Sequence, residues 1–459
     1  MNVAHGSFRD PDGRLTDRDG RLLRELAPRG AEGWRAVSAT DWFAEEVAAG
    51  RIAGTREVPD VAPGDGDVAV LEHDRLPFVS YPDEWTFGML REAALLQLRM
   101  LELSLASGLM VKDASAFNIG FRGVRPVFLD VGSFEPQRKG EPWRAYGQFC
   151  EQFLFPLLVW AHRGFDPRPA LRGRLAGLTP AQARAVLHGR DVLRKGVFRH
   201  VVLHARAAAR PRPAGEVQSE LRKAGFDARL IAANVKGLQR IVRGLRLPAQ
   251  RSEWTEYHGA KAADDADRVR KEAVVRALAG ERRRGLVWDV GANDGHFARL
   301  AAEGAEQVIA MDSDGAVVER LSDALLADGD TTVQPLVVDA TDPTPARGWR
   351  LRERPSLLER GRPELVLVLA LVHHLVLSAS VPMEEVAAWL AELDAEILLE
   401  IPEREDPMVR ALLSRKPADA YQPYDAAQFA RIVGERLDVR SEETLPGGTR
   451  RLLRVAPRA

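Results

Sequence analysis

Leu286-Val287-Trp288-Asp289-Val290-Gly291-Ala292-Asn293-Asp294-Gly295-His296-Phe297 is the stretch that decides how this chain is read. An apolar strand ending in an acid runs into a turn with two glycines and then into a helix expected over 297–303. Such a first βα turn lets the backbone pass very close to a bound ligand, an approach that a residue without Cβ permits. Working outward, a second strand over 307–311 ends at Asp312, where a carboxylate can accept both hydroxyls of a ribose. A third over 333–338 ends at Asp339, placed to accept from an adenine amino group. For both acids the competing reading is helix capping or a solvated strand end. The fourth strand, 364–370, is a continuous apolar run of the kind that suits a central parallel strand buried on both faces, and a fifth is expected over 395–401. Beyond Ser252 strands alternate with helices, which argues for a parallel α/β sheet.

Three strand ends in this order resemble class I S-adenosylmethionine-dependent methyltransferases: Asp289-x-Gly291-x-x-x-Gly295 looks like their first motif, Asp312 their second and Asp339 their third. The G-x-G-x-x-G spacing of nicotinamide enzymes is absent, because position 293 is Asn and position 296 is His. The resemblance implies a Rossmann-like domain over 251–459 with S-adenosylmethionine as cofactor, held by Asp289, Gly291, Asn293, Gly295, Asp312, Asp339 and Ala370. It also implies that Leu371-Val372-His373-His374-Leu375 lies beside the methyl donor, which makes His373 and His374 the candidate catalytic pair. His373 reads equally as general base or substrate contact and as a packing imidazole; packing is the better reading of His374. Neighbouring histidines on a helix point in different directions and make poor joint ligands, so no metal is expected. Glu400, Glu403, Glu405 and Asp406 follow the fifth strand at the ligand crevice, either to bind a cationic or hydroxylated acceptor or as solvated loop charge. Trp254, Tyr257 and His258 precede the domain, to close over the cofactor or to pack its first helix.

The N-terminal half holds a second constellation. Residues 1–75 are rich in Arg, Gly, Asp and Pro, with a helical pattern over 39–49 and a break over 59–67, and are the least readable part. A strand over 68–71 follows, then Phe78-Val79-Ser80-Tyr81-Pro82-Asp83-Glu84-Trp85 and an amphipathic helix, Phe87–Ala106, stopping at Gly108. Two extended runs, 119–122 and 126–130, meet at Gly123 as a hairpin, and helical patterning covers 143–206. Lys112-Asp113-Ala114-Ser115-Ala116-Phe117-Asn118 before the hairpin and Asp130-Val131-Gly132 after it resemble the catalytic loop and metal-binding segment of kinases. The resemblance covers roughly 68–200. It implies that Asp113 orients an acceptor hydroxyl and that Asn118 and Asp130 hold magnesium between nucleotide phosphates. No Gly-rich loop is present, and no lysine precedes Lys112. Arg51 or Arg56 would replace the missing phosphate-gripping lysine only imperfectly, since a guanidinium is a planar fork. Asp113 and Asn118 also read as loop braces with no ligand.

The chain has 459 residues, enough for several cores, and the expected division is a small degenerate N-lobe-like segment (1–75), a kinase-like helical domain (76–215), a linker with bridging helices (216–250) and the methyltransferase domain (251–459). The fold class is therefore α/β, a Rossmann-like sheet preceded by an α+β, mostly helical kinase-like domain. With 65 basic and 66 acidic residues the net charge is −1, so no global field draws the protein to nucleic acid or to an acidic membrane. One cysteine, Cys150, excludes an internal disulfide. The N-terminus lacks an apolar signal region, and the longest apolar run, 365–372, is too short to cross a bilayer; cytoplasm is the expected compartment. The order of both halves resembles a family of bacterial two-part methyltransferases, some described as nodulation-related, through 78–85, 112–119, 125–130, 371–375 and 406–409. The resulting expectation is methyl transfer to a small-molecule or glycan-like acceptor, with the kinase-like half binding substrate or partner. The alternatives are a nucleotide-binding scaffold with an inactive methyltransferase fold, or a bifunctional kinase and methyltransferase.

Overall fold

A computed structural model describes residues 2–3, 7–138, 140–209, 228–248, 262–414 and 424–458. Most of the expected linker over 207–215 and the start of the bridging helices lie outside the described residues, as do Trp254, Tyr257 and His258.

The chain begins with a five-stranded antiparallel sheet of which the sequence showed only the strand over 68–71. Strands β1 (Asn2–Val3), β2 (Gly13–Arg18) and β3 (Arg21–Leu26) lead into helices α1 (Pro28–Ser38) and α2 (Asp41–Ala48), and β4 (Thr55–Glu57) and β5 (Ala69–His73) return to complete the order β1-β2-β3-β5-β4. The β2–β3 hairpin turns on Asp19 and Gly20, both at positive φ (51° and 78°), as a two-residue turn that matches strand twist requires. Helix α3 (Phe87–Ala106) runs through the core, with Ala93, Ala94, Leu98, Met100 and Leu101 fully buried. After it come β6 (Leu109–Val111), the hairpin of β7 (Ile119–Arg122) and β8 (Arg125–Phe128), and β9 (Phe134–Pro136), which pairs with β6. Helices α4 (Phe155–Arg163), α5 (Arg168–Gly173) and α6 (Ala228–Gly244) follow, and α6 packs along α3.

The C-terminal half opens on α7 (Ala262–Glu281) and then alternates: β10 (Arg284–Val290), α8 (His296–Ala301), β11 (Ala305–Asp312), α9 (Gly315–Asp328), β12 (Val333–Val337), β13 (Leu365–Val368), α10 (Met383–Glu392), β14 (Glu396–Pro402), α11 (Pro407–Leu413), α12 (Ala426–Arg436), β15 (Asp438–Thr444) and β16 (Arg450–Ala456). The sheet order is β12-β11-β10-β13-β14-β16-β15, parallel through β14 and antiparallel at β16 and β15. This is the doubly wound α/β sheet expected. Its chain order reverses between β10 and β13, so the ligand crevice opens at the carboxyl ends of those strands.

The two halves are fused along the β12 edge. Pro335 lies within β12, as only an edge strand tolerates. The segment 80–88 runs beside it: Val337 donates its backbone N–H to the Glu84 carbonyl at 2.8 Å, and Gln334 Nε2 donates to Ser80 Oγ at 2.7 Å. The Glu319 carboxylate of α9 accepts from the Phe87 and Gly88 amides at 2.7 and 2.8 Å and so serves the orphan donors that open α3. Arg360 pairs with Glu84 and Arg347 with Asp83, all four side chains nearly inaccessible to water, and Phe78 meets Trp288 edge to face. One apolar core runs from Leu26 through α3 to Ile309 and Val366. Among the described residues no helix is long and apolar enough to cross a membrane.

Candidate functional site

At the end of β10 the backbone takes positive φ at Gly291 (81°), Asn293 (49°) and Gly295 (76°). The bend is tied down from the neighbouring strand, since Gly291 and Ala292 both donate to the Met311 carbonyl, at 2.8 and 2.9 Å. A Cβ at Gly295 would stand 2.6 Å from the Leu321 side chain, so this glycine is required by packing as well as by its φ. Asp312, at the end of β11, accepts from Asn293 N–H on one carboxylate oxygen and from Asp314 N–H on the other, each at 2.9 Å. Burial raises its pKa against those amide bonds. The acid foreseen beside the bend is thus physically bonded to it, and each of its oxygens keeps acceptor capacity.

Asp289 lies under the bend, 2% exposed, with Oδ2 buried and unpartnered. Burial, and then the charge of Asp312, push its carboxyl up to about 7. Asp339 is exposed, and its Oδ1 accepts from the Thr341 amide and hydroxyl at 2.8 and 2.7 Å; it therefore braces its own turn while remaining at the crevice mouth.

At the end of β13, Ala370 adopts φ 52°, a left-handed conformation that non-glycine residues rarely hold without support. Support comes from Glu400, whose Oε2 accepts from Ala370 N–H and from Lys271 Nζ, both at 3.0 Å, while its Oε1 accepts from Arg450 Nη1 at 2.9 Å. Arg450 also holds Asp406, which in turn caps α11 through the Met408 amide. Glu400 and Asp406 are therefore engaged inside the protein, so neither of the two readings, acceptor contact or solvated loop charge, describes them. Ala370 was singled out from the sequence but its left-handed backbone was not, and Lys271 and Arg450 were missed by sequence reasoning, because a partner 129 positions distant, as between Lys271 and Glu400, leaves no local pattern.

His373 is 1% exposed with Nδ1 unpartnered, and burial, followed by the charges of His374, Arg450 and Lys271, holds it well below the usual imidazole value. His374 is partly open, and its pKa is lowered by burial and Arg450. Of the two rings, His373 is the neutral, water-excluded imidazole and His374 the more open one.

In the N-terminal half the structure brings Asp113, Asn118 and Asp130 together: Asn118 Nδ2 donates to Asp130 Oδ2 at 3.4 Å, and Asp113 is raised by burial and by the Asp130 charge. The cation facing Asp130 is Arg24 of β3, with Nη1 3.0 Å from Oδ1, on the strand that precedes α1. Arg51 and Arg56 instead bind Glu46 and Glu72. Lys112 pairs with Asp12. Among the described residues no three His, Cys, Asp or Glu side chains converge as a metal site.

No protein-family model matches the chain. It is 31% identical over 458 residues to the nodulation protein NoeA of Rhizobium meliloti (strain 1021), covering 97% of this chain and 94% of that protein. Among solved structures it is similar to the N-methyltransferase NodS from Bradyrhizobium japonicum WM9, at 11% identity and a TM-score of 0.32 over 43% of this chain and 100% of that one. The magnesium protoporphyrin IX methyltransferase ChlM from Synechocystis PCC 6803, with bound SAH, aligns at 19% identity and a TM-score of 0.31 over 44% of this chain and 92% of that chain. The bifunctional kinase-methyltransferase WbdD aligns at 16% identity and a TM-score of 0.30 over 45% and 42%.

Proposed function

The chain belongs to the family of the nodulation protein NoeA, and from that premise we propose that it is an S-adenosylmethionine-dependent methyltransferase acting on a small-molecule or glycan-like acceptor. The observation that carries this reading is the bend Gly291–Gly295 hydrogen-bonded to the carboxylate of Asp312 at the switch point of the sheet. When bound, the cofactor supplies an electrophilic sulfonium methyl group, so the protein contributes mainly alignment and exclusion of water. Asp312 is the acceptor for ribose hydroxyls and Asp339 for the adenine amino group, and Gly291, Asn293 and Gly295 give the backbone its close approach. Asp289 lies beneath the bend, and its Oδ2 is the acceptor it offers. The turn at Ala370, held by Glu400, positions His373 and His374 beside the reacting centre. His374, the more open ring, is the candidate contact to the acceptor, and His373 is a neutral packing and proton-accepting group.

Thermal denaturation with S-adenosylhomocysteine tests this. A ligand that binds only the native state stabilises it, by about 2.7 kcal/mol at a hundred times its Kd. A rise in Tm is expected for the native chain and its loss in Asp312→Ala; a native protein indifferent to the ligand removes the proposal.

A second reading concerns the N-terminal half as a kinase-like nucleotide-binding module. It is favoured by the meeting of Arg24, Asp113, Asn118 and Asp130. ATP with magnesium should then raise Tm in a way that Asp130→Ala abolishes, and phosphoryl transfer by the same site would make the protein bifunctional.

A further inference from the structure

A cavity of about 400 Å³ opens between the two halves, within the range of small-molecule sites, roughly 300–1,000 Å³. On the sheet side it is lined by Ser313, next to the ribose acid, and by Val338 and Asp339 at the end of β12; on the other side stand Asp83, Arg168 and Pro169 from the N-terminal half. Two lining groups are incompletely satisfied. Asp83 accepts from Arg347 Nη2 on Oδ1 at 2.8 Å, but its Oδ2 is buried without a partner on a side chain 2% exposed. Arg168 holds Asp166 through Nε and Nη2 and leaves Nη1 buried and unpartnered. Buried polar atoms are nearly always bonded, and two orphans of opposite sense in one cavity wall, an acceptor and a donor, point to a ligand that offers both. The Arg168 guanidinium is held in place from two sides, 5.4 Å from the Trp160 ring centroid and against Gly315, where a Cβ would come within 2.5 Å of Nη2.

We propose that this cavity holds the adenine base of the cofactor between the two halves, with Asp83 accepting from the second N–H of the exocyclic amino group whose first is assigned to Asp339, Arg168 donating to a ring nitrogen, and Pro169 and Val338 covering the two faces. The proposal rests on the methyltransferase reading and adds three residues from outside the sheet to its binding site. An exocyclic amino donor beside ring-nitrogen acceptors is what adenine presents, and it complements the orphaned carboxylate and guanidinium. The N-terminal half is then part of the cofactor site itself, and the charged contacts of Asp83 with Arg347 and of Glu84 with Arg360 keep that wall in register.

Adenine reaches a protein on an adenosyl thioether or on a nucleoside triphosphate, and calorimetric titration of the full chain separates the two. The probes are S-adenosylhomocysteine, S-inosylhomocysteine, in which a carbonyl replaces the six-amino group, and ATP. In the native protein the adenosyl compound should bind roughly tenfold or more tighter than the inosyl one, and ATP should not displace it. Arg168→Gln should weaken the adenosyl compound roughly tenfold, and Asp83→Asn should reduce the preference for adenine, a change that loss of packing alone does not produce. Should Asp83→Asn fail to fold, Arg168→Gln carries the test. Unchanged affinity and preference in the variants would overturn the inference and leave methyl transfer intact, whereas native protein that binds neither thioether removes the methyltransferase reading. Displacement by ATP would assign the cavity to a nucleotide and overturn the inference.

Discussion

Arg360 and Glu84 face each other across the boundary between the halves, 2% and 1% exposed, with Arg360 Nη1 2.8 Å from Glu84 Oε2 and a second bond to the other carboxylate oxygen. Arg360 lies over the Tyr81 ring at 4.1 Å, and Thr344 donates its hydroxyl to the same carboxylate at 2.6 Å. Burial alone would raise the Glu84 pKa, but the Arg360 charge and these hydrogen bonds hold it below its ordinary value. Removing one partner leaves an uncompensated buried charge, at about 3–5 kcal/mol. Arg360→Ala should therefore lower the unfolding free energy by that amount, measured by urea denaturation, while Glu84→Met with Arg360→Met recovers most of it. An Arg360→Ala protein as stable as the native one would mean that water reaches the pair.

Asp289 gives the protein an unusual pH dependence. Its folded pKa, about 7, lies above its ordinary value of 3.8, so between those limits the folded chain binds more protons than the unfolded one. Stability contributed by this group is thus fully present below about pH 4 and declines as pH rises toward 7, with a limiting slope of about 1.4 kcal/mol per pH unit. The charges of Asp312 and Asp294 face it, and the Ala298 amide partly offsets them. Asp289→Asn should abolish that decline and melt higher than the native protein at pH 8, yet bind S-adenosylhomocysteine more weakly. Parallel stability–pH curves for the two proteins would refute the assignment.

Much of the C-terminal half was legible because its signals are local. The run Leu286–Val290, the glycines 291 and 295 and the acids 289, 312 and 339 each announce a strand end within a few residues, and the sheet in β10 to β14 follows them closely. Helix α3 was read to its ends from its amphipathic pattern and from Gly108, which stops it, while its cap, Thr86, was not read. Of the N-terminal sheet only the strand over 68–71 was read, although Asp19-Gly20 is a hairpin signal, because β2 and β3 carry Arg, Asp and Glu among their apolar positions. Those charges pair across strands, as Arg18 does with Glu25 and Arg21 with Glu72. Long-range partners were illegible in principle: nothing near Asp83 names Arg347, and nothing near Ala370 names Glu400.

The two glycines of the bend should differ in sensitivity. Both hold positive φ, which costs an L-residue about 1–2 kcal/mol, but a Cβ at Gly291 finds Leu371 at an ordinary 3.4 Å while at Gly295 it meets Leu321 at 2.6 Å. Gly295→Ala should therefore lose clearly more stability than Gly291→Ala in thermal denaturation, by about 1–3 kcal/mol for the added overpacking. Equal losses would show that Leu321 moves aside freely.

Ala370 and Glu400 set the last expectation. The left-handed turn at Ala370 stores strain that glycine would relieve, and the entropy glycine adds to the unfolded chain, about 0.4–1 kcal/mol, opposes the gain; Ala370→Gly should be close to neutral in stability. Glu400→Ala is different, because it removes the acceptor of the Ala370 amide and strands Lys271, at 9% exposure, beside Arg450. A loss of about 3–5 kcal/mol is expected, and Glu400→Gln, which keeps an amide acceptor but not the charge, should lie between. Transfer of labelled methyl groups should fall in Ala370→Gly despite its stability, since the turn that aims His373 and His374 is then held less firmly. Full activity in that variant would separate the strain at Ala370 from the chemistry.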